Sequence, residues 1–192
     1  MRVSKQAAAE NRGRILTAAA RLFREQGIAG AGVDAITKAA GLTHGAFYSQ
    51  FESKEEVVAE ALRVVLDDSR DLWVGEASRA DTRAALERII DRYLSRRHRD
   101  SLGEGCAVAA LGPDIARQPK TIRGLFTKRL KEGLEVLAGV VPARTASRRT
   151  DTAIRLFSTM VGALILARAV DDETLSRRIL KTVAEDLKGD AG

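Results

Sequence analysis

The chain has 192 residues, 45% of them hydrophobic and 30% charged, with sixteen Gly, three Pro and one Cys. That composition suits one sizeable core, or a core with a small satellite domain, and excludes a disordered, collagen-like or disulfide-scaffold protein. The net charge of +6 is uneven: residues 1–54 carry eight Lys/Arg against four Asp/Glu, the rest 24 against 22, so a polyanion would meet the front of the chain first. The lone Cys106 and the absence of a signal-peptide pattern point to a reducing cytoplasm. The longest nearly apolar stretch, 156–167, contains Ser158 and Thr159 and falls short of the roughly 20 residues that cross a bilayer, so no membrane span is expected.

In chain order, every segment reads with a helical period and none alternates as a strand does, which predicts an all-α fold. Residues 1–9 are expected as a flexible basic tail. A first helix then places Ile15, Leu16, Ala19, Leu22 and Phe23 on one face and stops at Gln26-Gly27. Two short helices, 33–40 and 44–50, follow around the tight turn Gly41-Leu42-Thr43, which is helix-turn-helix spacing. Ser53 and Glu56 form a capping-box pattern that opens a long connecting helix through Val57, Ala61, Val65 and Leu72 to about Glu76.

Asp81 is expected to cap a helix bearing Leu86, Ile89, Ile90, Tyr93 and Leu94, ending near His98, with a loop over 100–105 and a restart over 106–116. Pro119 fits the first turn of a helix carrying Ile122, Phe126, Leu130 and Leu137, which Pro142 ends. The next helix repeats Ile154, Phe157, Val161, Leu164 and Ile165, with a second face of Ala153, Met160, Ala163 and Ala167. The last carries Leu175, Ile179, Leu180, Val183 and Leu187. Apolar residues on two faces predict that the 154–169 helix packs against a second chain as well as its own core, the alternative being the central helix of a monomeric bundle. The expected interface residues are Phe157, Met160, Val161, Leu164, Arg168, Leu175 and Ile179.

Enzyme and metal patterns are absent. His44, His98 and Cys106 cannot furnish a closed zinc site, and neither a GxSxG elbow nor a GxxxxGK[ST] loop occurs. No cofactor, metal or catalytic residue is expected. Cys106 at a helix start reads as either a structural thiol or a sensor.

The chemistry concentrates in residues 36–57, ITKAAGLTHGAFYSQFESKEEV. Val33, Ile36, Ala40, Phe47 and Phe51 hold the motif together. Facing outward on the second short helix are Thr43, His44, Gly45, Ala46, Tyr48, Ser49 and Gln50. The smallness of Gly45 and Ala46 permits close approach to a major groove, Thr43 and His44 reach base edges, Tyr48 and Gln50 reach phosphates, and Lys54 adds a cation beside the backbone.

NRGRILTAAARLFREQG, then the 36–41 helix and turn, then THGAFYSQFESKEEV stand in the order and spacing of the TetR family of bacterial transcriptional regulators, whose DNA-binding domain residues 11–58 resemble. The resemblance implies a three-helix DNA-binding domain at 10–54 and a helical effector-binding and dimerisation domain at 55–192. It also implies a homodimer reading a palindromic double-stranded operator. Gly32, Thr37, His44 and Gln50 depart from the commonest family pattern, and Thr37 either touches phosphate or fills space. Trp73, Tyr93, Cys106, Phe126, Phe157 and Met160 are expected to line an apolar pocket, which predicts a small hydrophobic or aromatic effector and a ligand-released repressor. The rival readings are a helical protein-interaction module that does not use its motif on DNA and a thiol-dependent enzyme.

Overall fold

A computed structural model describes residues 5–78, 81–142 and 145–189. They form ten α-helices and one 3₁₀ turn, with no strand. The first helix, α1 (Lys5–Gly30), begins earlier than expected: residues 5–9 of the anticipated tail are helical, and Gln6 Nε2 donates to Glu10 at 3.1 Å. The first four residues of that tail lie outside the described residues. Gly27 breaks α1 as anticipated, with φ at 77°, and one further turn resumes before Gly30.

Helices α2 (Val33–Ala39) and α3 (His44–Tyr48) are joined by a turn in which Gly41 takes φ of 63°. Thr43 caps α3 by accepting the Ala46 N–H. The α3 helix is shorter than the expected 44–50, because the backbone closes into a turn at Ser49 and Gln50 before Phe51 is buried. Ser53 caps α4 (Lys54–Ala77), and Glu56 returns a bond to the N–H of Glu52 at 2.8 Å.

The segment expected as one helix from Asp81 to His98 is two. After α5 (Thr82–Tyr93) the chain bends at Leu94, and Ser95 caps α6 (Arg96–Asp100). A 3₁₀ turn over Leu102–Glu104 leads to α7 (Ala107–Ala116). Pro119 is the N-cap of α8 (Lys120–Val140) rather than a first-turn residue, and α9 (Ala146–Ala169) and α10 (Glu173–Gly189) complete the order.

Two apolar cores result. The first gathers Ile15, Ala19, Phe23, Ile36, Phe47 and Phe51 with Val57, Ala61 and Leu62 of α4 and Leu111 and Ile115 of α7. The position 54/55 therefore lies inside one continuous core, since the first half of α4 completes the helix-turn-helix. The second core gathers Leu86, Ile89, Tyr93, Leu137, Phe157, Met160, Leu164 and Leu180. One described helix, α9, is long and apolar enough by length and composition to cross a bilayer. Its Ala153, Leu156, Phe157, Met160, Ala163, Leu164 and Ala167 are buried in the second core, which accounts for part of that apolar content.

Candidate nucleic-acid interface and the cavity behind it

Phe47 and Phe51, four residues apart, turn inward with ring centroids 5.7 Å apart and are 0% and 2% exposed. Burying each contributes about 1.5–3 kcal/mol, enough to fix which face of α3 remains outside. Arg12 of α1 locks the junction: its guanidinium stacks 4.0 Å from the Phe51 centroid, bonds the Gln50 carbonyl and pairs with Glu56 and Glu60.

Thr43, His44, Gly45, Tyr48 and Ser49 are exposed, with Ala46 and Gln50 half-buried. A Cβ on Gly45 would meet nothing within 4 Å, so the chain itself leaves this face uncrowded. Several polar groups are engaged internally. His44 Nε2 lies 3.3 Å from Asp34 Oδ1 and its ring stacks edgewise on Tyr48, while Ser49 Oγ donates to the Ala46 carbonyl at 2.8 Å.

Two expected DNA contacts are placed otherwise. Thr37 is 4% exposed and donates its hydroxyl to the Val33 and Asp34 carbonyls, so it fills space and faces no phosphate. Lys54 is half-buried, and Nζ donates to the Ile28 carbonyl at 2.7 Å; burial lowers its pKa. It ties the start of α4 to the end of α1. Sequence reasoning passed over Lys38, which is exposed one turn after Asp34 and hence on the face of α2 that adjoins His44.

Behind this unit lies a cavity of about 390 Å³ between α4, α5, α7, α8 and α9. Of the six expected lining residues, Trp73, Tyr93, Cys106 and Phe157 are brought together there. Phe126 instead packs on the first core and Met160 is fully buried in the second, because each falls on a core-facing side of its helix. Trp73 meets Phe157 edgewise at 5.3 Å, and Gly133 allows it, since a Cβ there would stand 3.1 Å from the indole.

The lining is mixed, where an apolar one was expected. Arg70, Arg129 and Glu76 border it, paired respectively with Asp71 at 2.8 Å, Glu132 at 2.7 Å and Arg88 at 2.9 Å. His98 accepts the Cys106 N–H at Nε2 (2.9 Å), which leaves Nδ1–H to donate to the Tyr93 carbonyl at 2.6 Å. Burial lowers the His98 pKa and favours this neutral form; burial likewise raises the Tyr93 pKa.

The expected partner-facing residues divide. Phe157, Met160 and Leu164 are buried within the protomer, and Arg168 donates to the Arg99 and His98 carbonyls at 3.0 and 2.8 Å. Val161 and Ile179 are half-buried, and Leu175 is exposed. The apolar residues left outward on α9 are Ile154, Ile165 and Leu166. Sequence periodicity found two faces on α9 but could not say which one the protomer uses.

The described fold thus joins a buried-aromatic helix-turn-helix at the front, a rod-like α4 and a cavity-bearing helical bundle. Residues 15–61 match the bacterial regulatory proteins of the tetR family. The KstR2 repressor of Rhodococcus jostii (strain RHA1) is 41% identical over 80 residues, covering 40% of this chain and 38% of that protein. The chain thus spans well under half of that relative's length in the matched region. The reduced form of E. coli NemR superposes with a TM-score of 0.81 at 17% identity, covering 95% of this chain and 97% of that one. A TetR-family regulator from Agrobacterium tumefaciens gives 0.79 at 19%, covering 93% and 98%. Residues 15–61 thus resemble the bacterial regulatory proteins of the tetR family, and the chain shares the fold of the solved structures on which it superposes.

Proposed function

We propose that this chain is a DNA-binding transcriptional repressor that acts as a homodimer on an inverted-repeat operator and is released by a small molecule held in the cavity. The observation that carries the reading is the exposed face of α3, small at Gly45 and polar at Thr43, His44 and Tyr48, fixed outward by buried Phe47 and Phe51. Lys38, on the same side, is the cation placed for a phosphate. The exposed Ile154, Ile165, Leu166 and Leu175 supply the face for a second copy. A twofold dimer sets the two α3 helices about 34–36 Å apart, one DNA turn.

One helix connects the two functions. Lys54 begins α4 at the helix-turn-helix, and Trp73, four turns or more along it, walls the cavity. An effector that binds the two arrangements of α4 unequally changes the spacing of the α3 pair and releases the operator. Selection of bound DNA from a random pool tests the proposal: an inverted repeat with half-sites one turn apart is expected. Weak binding that ignores sequence would overturn it in favour of a helical protein-interaction module.

A further inference from the structure

Asp34 puts an anion on the face that is to meet a polyanion. It is the second residue of α2 and exposed, and its Oδ1 stands 3.3 Å from Nε2 of His44, the first residue of α3. No Lys or Arg forms an ion pair with it among the described residues, although Lys38 lies one turn further on. A carboxylate without a cation is repelled by phosphates, so its placement here asks for a use.

The pair decides where the imidazole carries its proton. A nitrogen lone pair facing a carboxylate oxygen at 3.3 Å is repelled and an N–H is attracted, so in the neutral ring the proton sits on Nε2. Nδ1 is left as an acceptor, and it makes no hydrogen bond among the described residues. The ring is also held in place: Tyr48, one turn along α3, meets it edgewise at 5.2 Å and is itself met edgewise at 5.2 Å by the fully buried Phe47. An exposed pair of this kind is worth little in water, but a groove that covers it removes the water and strengthens it.

One class of base suits that acceptor. In the major groove cytosine N4 and adenine N6 present amine donors, whereas guanine presents only acceptors and thymine an acceptor and a methyl group. We infer that Asp34 is a positioning residue for base recognition: it fixes the Nε2–H form of His44, so that Nδ1 accepts the amine of one cytosine or adenine in each half-site. The inference rests on the proposed DNA binding and adds to it the class of base read at one position and the residue that sets it.

The test selects bound DNA from a random pool at pH 8, above the ordinary histidine range, with the full chain as parent, Asp34→Ala, His44→Ala and the double variant. Affinities are then measured for four operators that differ at one base pair. The parent is expected to favour C or A over G or T by roughly threefold to tenfold at one position of each half-site, the worth of one neutral hydrogen bond. Asp34→Ala lets the ring carry its proton on either nitrogen, so the preference at that position alone is expected to fall to about twofold or less. His44→Ala removes the preference, and adding Asp34→Ala then changes nothing further there. Selection of the rest of the consensus shows that each variant is folded.

A parent preference for G or T at the His44-dependent position, or a preference that survives Asp34→Ala, would overturn the inference. So would an affinity change equal for all four operators, the mark of an acid that only repels phosphate, or a lowered Tm with unchanged preference, the mark of one that only serves the start of α2. An inverted repeat whose base preferences ignore Asp34 sinks this inference alone, whereas a parent that selects no sequence sinks the repressor reading with it.

Discussion

Asp114 Oδ2, near the end of α7, accepts the backbone N–H of Ile28 at 2.9 Å, immediately after the break in α1 at Gly27. The carbonyl of the same Ile28 accepts from Lys54 Nζ. One residue of the front domain, Ile28, is therefore held from both sides, by Asp114 near the end of α7 and by the first residue of α4. The other end of α7 lines the cavity through Ala107 and Val108. Helix α7 thus connects the cavity to the helix-turn-helix directly, in parallel with α4.

Asp114→Ala removes a charge-assisted bond from a half-buried N–H, and a loss of about 1.5–3 kcal/mol is expected. For a chain of this size each kcal/mol lowers Tm by roughly 2–4 °C, so scanning calorimetry will register it. Ligand affinity is expected to persist while ligand-induced release of DNA weakens; a variant with full release would show that α4 alone carries the signal.

Gly45→Leu separates fold from function. Nothing of the chain approaches a Cβ at this position, so thermal stability is expected to stay within about 1 kcal/mol of the parent. DNA affinity is expected to fall at least about tenfold, since a bulky side chain holds α3 off the base edges. Thr37→Val should do the reverse, because its buried hydroxyl serves the α2 backbone, and gel shifts paired with melting curves distinguish the two.

Lys54→Met is expected to cost stability through the lost bond to Ile28, by about 1 kcal/mol. If Lys54 instead contacts phosphate as well, the slope of log affinity against log salt will shrink by about one contact's worth. Lys38→Ala should show that smaller slope with unchanged stability.

Ile165→Glu and Leu166→Glu place charge on the exposed apolar side of α9, and sedimentation is expected to show monomers. Met160→Ala, fully buried, should instead unfold the second core at a cost of about 2–5 kcal/mol.

The pH dependence follows from His98, whose pKa is lowered in the fold by burial. Below the ordinary histidine range the unfolded chain takes up a proton that the folded chain refuses. Stability therefore falls as pH drops through the unfolded value, and stops falling from this source once pH passes below the folded one. His98→Asn, which does not titrate and can keep the bond to the Tyr93 carbonyl at the position of Nδ1, should flatten the decline in denaturant midpoint between pH 7 and 5 relative to the parent.

Much was legible from residue pattern alone. The apolar spacing of Ile15 to Phe23, the Gly41 turn, the Ser53 cap and the pair Phe47 and Phe51 are local features, because helix periodicity and capping act over three or four residues. They located the helices and the outward face of α3. The surroundings of Thr37 and Lys54 were not legible in this way: burial of α2 turns the Thr37 hydroxyl onto carbonyls of its own helix, and Lys54 bonds Ile28, 26 residues away, which only the fold brings near.

The sequence by itself determined the helical class, the order of the longer helices and which side chains of the short helix after Gly41 point out, since each follows from short-range periodicity. Only the tertiary structure decided that Phe126 and Met160 are core and that Trp73, Tyr93, Cys106 and Phe157 share a cavity. Those outcomes depend on how helices far apart in the chain rotate about their axes as they pack, and a rotation of one helix changes its neighbours without changing its period.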